Sequence, residues 1–346
     1  TSASTAVRLV RMGNQPNAVP GLSLVTGAGG YVGGEIVRQL LKRHRPVRAM
    51  VRDPSQAAAL ERLGAEVVIA DLQKAETLDD AVRGVSWVYH IASLFRVAGL
   101  PESEFHAVNV DGTRHLLEAA IAADVKRFVH CSTVGVHGHI ESPPANEEAP
   151  CNPGDPYQRT KLEGERVAME HFESGRIRGV TIRPAMVYGP GDTRNLKMFR
   201  MIARRLFFYV GDGTTKVHYV DVRDLARAFI LAMDAQHLNA ETYLIAGASS
   251  VQQNELAKLI AGELGVAPPW LHLPVKPMQW LGSACEAICR PFGIEPPIFR
   301  RRVDFFTKHR EFDCAKAARD LGFKPSRSLE QEVREHTHWY GQRGWL

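Results

Sequence analysis

An α/β fold, with a doubly wound parallel sheet and a smaller C-terminal lobe, is predicted by three features of the chain. The apolar run Leu22–Thr26 leads into glycines at 27, 30 and 33 and then directly into an amphipathic helix. Beyond it, short apolar runs alternate with helical patterns, the rhythm of strand–helix–strand units that cover both faces of a parallel sheet. Past residue 185 this rhythm loosens, and proline-rich pieces near 268–277 and 291–297, separated by the apolar stretch 278–289, set off the second lobe.

Taken in order, the first strand ends in Thr26-Gly-Ala-Gly-Gly-Tyr-Val-Gly33. Glycines there let the chain turn tightly, let backbone approach a pyrophosphate and let the helix pack on its strand, while the helix N-terminus supplies free N–H groups and a positive dipole. In the helix, Val32, Ile36, Val37, Leu40 and Leu41 follow the 3.6-residue period, and Arg38, Lys42 and Arg43 fall on its polar side or last turn. Strands are expected at 47–51, 66–70, 87–91, 127–131 and 180–183, with helices at 55–63, 77–82, 104–123 and 157–173. Pro143, Pro144, Pro150, Pro153 and Pro156 make the connection before the last helix an ordered but irregular loop. The expected division is a dinucleotide-binding domain at 21–185, with 216–246 returning to it, while 186–215 and 247–346 form mainly a substrate-side lobe. Residues 1–20, with Arg8, Arg11 and no acid, read as a leader or a disordered tail.

Composition excludes several classes. The chain of 346 residues is 45% hydrophobic, enough for a full core. Five scattered cysteines (131, 151, 285, 289 and 314) indicate neither a disulfide framework nor a zinc site, so a reducing, cytoplasmic setting is expected, with an organellar leader as the alternative. The net charge of +5 is spread among acids without a basic tract, so nucleic acid is not an expected partner. The densest basic run, Arg300-Arg301-Arg302, reads as a solvated helix face. No apolar run reaches the roughly 18 residues of a membrane span. The pairs His137/His139 and His336/His338 lack the spacing of a metal site.

In such sheets ligands bind beyond the carboxyl ends of the strands. The second strand ends Val51-Arg52-Asp53. Without a strand-end acid to hold both ribose hydroxyls, and with a guanidinium suited to a 2′-phosphate, Arg52 favours NADP(H) over NAD(H). Asp53, before Pro54, is read as a turn or capping residue. Asp71 either accepts from the adenine amine or caps the next turn, and His90 is read as structural. The spacing Tyr157-x-x-x-Lys161 puts phenol and ammonium on one helix face, and a cation beside a phenol favours the phenolate that acid/base work requires. Of the eight tyrosines, Tyr157 alone has lysine at the fourth following position. Ser132 and Thr133 follow the fifth strand, where hydroxyls can meet a substrate oxygen.

Together with Asp71-Leu72, His90-Ile-Ala92, Asn109-Val-Asp-Gly-Thr113, Arg183-Pro184 and Val220-Asp-Val-Arg-Asp-Leu-Ala226, these motifs resemble the extended short-chain dehydrogenase/reductases of the epimerase/dehydratase superfamily, from Leu22 to the C-terminus. Segments 295–299, 308–316 and 321–325 are similar to the 3β-hydroxysteroid dehydrogenase and dihydroflavonol reductase branch. The resemblance implies a Rossmann-type fold, a homodimer packed through helices 104–123 and 157–173, and oxidoreduction of a CH–OH group. It implies Tyr157 as proton donor or acceptor, Lys161 on the nicotinamide ribose, Thr133 polarising the substrate oxygen, and Arg183-Pro184 near the carboxamide. Gly27, Gly30, Tyr31, Val32, Gly33, Arg52, Asp71, Leu72, Ala92 and Pro184 would surround the dinucleotide. Nucleotide-sugar members carry an arginine before the 220–226 segment, where Lys216 here is out of register, so an apolar ketone or alcohol is the expected substrate. Trp270, Leu271, Met278, Trp280, Leu281, Ile288, Phe292, Phe299, Phe305 and Phe306 would form an apolar lid. The competing readings are a nucleotide-sugar epimerase or dehydratase with tightly held NAD, and a non-catalytic dinucleotide sensor.

Overall fold

The computed structural model describes residues 21–95, 99–289 and 306–346. Predictions for residues 1–20, Arg300-Arg301-Arg302, segment 295–299, Phe292, Phe299 and Phe305 lie outside them. The strands are β1 (Leu22–Thr26), β2 (Val47–Val51), β3 (Glu66–Ile69), β4 (Val85–His90), β5 (Arg127–Cys131), β6 (Gly179–Pro184), β7 (Met186–Tyr188), β8 (Tyr209–Val210), β9 (Lys216–Asp221), β10 (Glu241–Ile245), β11 (Ser250–Gln252) and β12 (His272–Leu273). The helices used below are α1 (Tyr31–Lys42), α2 (Ala57–Glu61), α3 (Leu78–Val82), α4 (Glu102–His106), α5 (Gly112–Ala122), α6 (Pro156–Glu173), α7 (Leu196–Ala203), α8 (Val222–Asp234), α9 (Gln253–Glu263) and α10 (Val275–Cys289).

Seven strands form one parallel sheet in the order β10-β6-β5-β4-β1-β2-β3. Helices on both faces bury it, which is why its central strands are apolar on both sides. Val25 and Ala49 face a cluster with Ile36 and Leu40 of α1 and Phe229 of α8. Leu24, Val88 and Phe128 face the opposite cluster, with Leu116 of α5 and Phe172 of α6. The chain winds outward from β1 to β3 and then crosses to β4, leaving a crevice at the carboxyl ends of β1 and β4.

Two segments differ from the sequence prediction. Helix 104–123 is α4 and α5 joined by a π-turn at Ala107–Asp111. Asn109 within that turn is buried: its Oδ1 accepts from Leu94 N at 2.8 Å and its Nδ2 donates to Thr160 Oγ1 at 3.1 Å, tying the loop after β4 to α6. In the returning segment 216–246, α8 and β10 join the main domain, but β9 lies in a three-stranded sheet with β7 and β11. Conversely, the helix Ala315–Leu321 buries Ala317 and Leu321 in the first cluster, so the last stretch of the chain belongs partly to the main domain. The lobe has its own core, in which Phe199, Leu256 and Ile260 meet Val333 and Tyr340 of the C-terminal helix Leu329–Gln342.

Candidate active site

A cavity of about 1120 Å³ occupies the crevice. At one end, the turn from β1 into α1 forms its floor. Gly27 has φ +65°, and a Cβ there would stand 3.0 Å from the backbone of Ala92; one on Gly33 would stand 2.2 Å from Gly27 O. Only glycine allows this approach of turn, helix and neighbouring strand end. Gly30 caps α1 without a side chain, and Gly27, Gly30, Tyr31, Val32 and Gly33 all line the cavity. Thr26 fastens the floor to β4, its Oγ1 accepting from Ile91 N and Ala92 N at 3.1 and 3.0 Å and meeting His90 Nδ1 at 2.9 Å. His90 is buried and bonded through Nε2 to Thr113 at 3.1 Å; burial, reinforced by Lys161, pushes its pKa down to about 3, so it is a neutral structural residue.

Arg52, exposed beyond β2, lines the same end with Asp71, Leu72 and Ala92. Asp53 caps the next turn through Ser55 N at 2.9 Å. Asp71 lines the cavity, and its Oδ1 caps the following turn by accepting from Gln73 N at 3.1 Å.

At the other end, α6 starts sharply because Asp155 accepts from Gln158 N at 2.9 Å and Pro156 occupies the first helical position. Tyr157 therefore lies in the first turn, largely buried on the cavity wall, with Phe95 edge-on at 5.0 Å. One turn on, buried Lys161 donates from Nζ to Cys131 O at 2.5 Å, at the end of β5, and burial lowers its pKa. Thr133 follows, accepting through Oγ1 from Gly135 N at 3.0 Å and lining the cavity. Ser132 also lines it, and its buried Oγ has no protein partner among the described residues.

Two expectations are corrected. Pro184 reaches the cavity, but Arg183, pointing to the other side of β6, is buried in an ion pair with Glu165 at 2.5 Å and bonded to His137 Nε2 at 3.1 Å. Strand alternation separates the two neighbours. Among the described residues, none of the expected lid side chains lines the cavity: Trp270, Leu271, Trp280, Leu281 and Ile288 are exposed on the outer surface, Met278 is half-buried on α10, and Phe306 packs against the lobe core. The substrate end is walled by Phe95, Met186, Val187 and Phe312, with Arg194, His218, Lys308 and Arg310 among them. These basic residues escaped sequence reading because 194 and 308–310 lie far apart in the chain, and long-range contacts, among them the bridges of Arg310 to Val217 and Phe312 to Ala145, bring the later segment to the cavity. Lys216 instead pairs with Glu311 at 3.0 Å.

A glycine floor at a helix N-terminus, a tyrosine–lysine turn facing it and strand-end hydroxyls between them define a dinucleotide-dependent oxidoreductase. Residues 23–246 match the family described as NAD dependent epimerase/dehydratase, and the chain belongs to that family. Sterol demethylase protein B of Methylococcus capsulatus is 31% identical over 341 residues, covering 94% of this chain and 99% of that protein. The 3 beta-hydroxysteroid dehydrogenase/Delta 5-->4-isomerase of Mycobacterium tuberculosis is 29% identical over 338 residues, covering 92% and 90%. Among solved structures, MoeE5 in complex with UDP-glucose and NAD matches with a TM-score of 0.74 and 26% identity, over 94% of this chain and 100% of that one. The cofactor is a nicotinamide dinucleotide. The residues present fit it: the floor tolerates no Cβ, and Ser132 Oγ is left for a ligand to satisfy.

Proposed function

We propose that the protein interconverts a ketone and a secondary alcohol on a largely apolar substrate, with Tyr157 as general acid and base. The observation that carries this reading is Tyr157 on the cavity wall, one helical turn from buried Lys161 and opposite the glycine floor. A nicotinamide dinucleotide bound on that floor supplies or removes hydride. The phenol gives its proton to the substrate oxygen in reduction and takes it back in oxidation. Thr133, which uses a lone pair to cap its turn, keeps its hydroxyl proton to donate to the same oxygen. Lys161, held by Cys131 O, supplies the cation that favours phenolate and a donor for the ribose. The walls Phe95, Met186, Val187 and Phe312 suit an apolar ring system, and the sterol- and steroid-named relatives support that class. Arg52, with Asp53 committed to capping, favours NADP(H).

A second reading has its own support. Arg194, Lys308 and Arg310 on the substrate-side wall would suit the diphosphate of a nucleotide sugar, the ligand named for MoeE5. The deciding experiment is one turnover screen of the purified protein, with both cofactors, against steroid, flavonoid and 3-oxoacyl ketones and against UDP- and dTDP-sugars. Reduction of a ring ketone supports the first reading. Turnover confined to the sugars overturns it.

A further inference from the structure

Helix α10 presents the wrong face to water. Trp280, Leu281, Ala284 and Ile288 share its outward side at helical spacing and are exposed, Trp280 by 75% and Ile288 by 66%, where a surface helix ordinarily carries charge. More exposed apolar side chains precede the helix in the chain. Parallel pairing of Tyr209 with His272 and Val210 with Leu273 brings the approaches to β8 and β12 side by side, so that Leu206, 63% exposed, and Trp270, 82% exposed, enter from one end. Exposed apolar side chains in this number mark an interaction site where they gather on one face.

Cations accompany these side chains. Lys197 and Arg204 share a groove with Leu206, and Arg205 next to it and Lys276 on α10 are exposed. Asp212, on the adjoining turn, is occupied by the backbone N–H and hydroxyl of Thr214. A shallow groove of about 410 Å³, lined by Leu196, Met201 and Leu206 and edged by Lys197 and Arg204, ends at Thr193, which also lines the active-site cavity. Exposed tryptophans and aliphatic side chains together with these cations match the two layers of a bilayer surface: indoles at headgroup depth, aliphatic groups at the acyl boundary, and cations against anionic headgroups.

We propose that this face docks the protein on an anionic lipid bilayer. The groove through Thr193 then runs from the membrane-facing patch to the cavity, the route by which an apolar substrate reaches Tyr157 without crossing bulk water. Docking itself stands apart from the substrate reading, since lipid binding needs neither cofactor nor substrate.

The test is cosedimentation of the full chain with vesicles of phosphatidylcholine containing about a quarter phosphatidylglycerol, against phosphatidylcholine alone, with tryptophan emission as a second readout. The expected result is retention on the anionic vesicles at least about tenfold above the neutral ones, a blue-shifted emission, and loss of retention as salt rises. Trp270→Ser with Trp280→Ser should lower retention about tenfold, and Lys197→Gln with Arg204→Gln should remove the preference for anionic lipid. Melting temperatures and dinucleotide titrations of each variant verify that it is folded. Absence of retention on anionic vesicles, or retention unchanged in the folded tryptophan variant, overturns the proposal. A concentration-dependent dimer that the tryptophan variant dissociates, with no vesicle binding, also overturns it and assigns the face to a second copy of the chain.

Discussion

Tyr157 and Lys161 share a helix face but not a task. The phenol meets the cavity, whereas the ammonium is buried and held by Cys131 O. Tyr157→Phe keeps the ring and its edge contact with Phe95 but removes the proton, so single-turnover hydride transfer is expected to fall by about a hundredfold or more with cofactor affinity unchanged. Thr133→Ala should lose less, because one neutral hydrogen bond is removed while the acid stays. Lys161→Met should damage rate and cofactor affinity together. A Tyr157→Phe protein with near wild-type single-turnover rate would mean that another group donates. Arg52 is tested by titration: NADPH should bind more tightly than NADH, and Arg52→Ala should weaken NADPH by about ten- to a hundredfold while sparing NADH, the scale of one charge-assisted contact. Equal affinities in the wild type would reject the role given to Arg52.

At the scale of elements, the cofactor floor depends on the closeness of α1 to the turn before it. A Cβ on Gly33 would stand 2.2 Å from Gly27 O, and that neighbour is backbone fastened through Ala92 and Thr26, so it cannot step aside cheaply. Gly33→Ala is expected to lower stability by about 1–3 kcal/mol, the range of overpacked sites, and to weaken dinucleotide binding more than tenfold. Thermal melts and titrations measure the two effects separately. Unchanged binding in the folded variant would show that the floor can move. The opposite wall depends on α6, whose cap at Asp155 and bond from Asn109 to Thr160 hold the first turn, and Tyr157 with it, in register with the end of β5.

For the whole molecule, the C-terminal helix Leu329–Gln342 closes the lobe through a buried carboxyl. Glu332 accepts from the Tyr188 hydroxyl, and burial, aided by Asp221 and Asp224, pushes its pKa up to about 7. An acid whose folded pKa lies above its unfolded value of about 4.5 favours the folded state while protonated. That contribution is complete below about pH 4.5 and is lost as pH rises toward 7, by about 2–4 kcal/mol at roughly 1.4 kcal/mol per unit. Glu332→Gln keeps an acceptor for Tyr188 and cannot ionise. Its melting temperature should exceed the wild type's at pH 8 and match it near pH 4.5; parallel pH profiles for the two proteins would refute the assignment. No helix among the described residues is long and apolar enough to cross a membrane. A homodimer through α5 and α6 is proposed on family grounds; it requires apolar residues on an outer face of those helices, beside the exposed Arg114, Glu118, Arg166 and Glu170. Light scattering at micromolar concentration should give twice the chain mass; a monomer would reject that interface.

What the sequence by itself determined is local in origin. The glycine spacing, the α1 period, the strand–helix alternation and the tyrosine–lysine turn each depend on residues close in the chain, and the structure reproduces the fold they imply and brings Tyr157, Thr133, Gly27, Gly30, Gly33, Arg52 and Pro184 to one cavity. Tertiary structure decided what depends on distant partners. Pro184 reaches the cavity while Arg183 turns to Glu165, because strand alternation acts on neighbours whose partners sequence does not display. Composition alone made Trp270 and Trp280 look like a substrate lid; their direction is set by how β12 pairs with β8 and by the side of α10 that packs inward. Lys308 and Arg310 join Arg194 around one cavity because bridges more than ninety residues long in sequence separation carry their segment back to β9. Periodicity fixes which side chains share a face of an element, but the long-range packing of elements decides what that face meets.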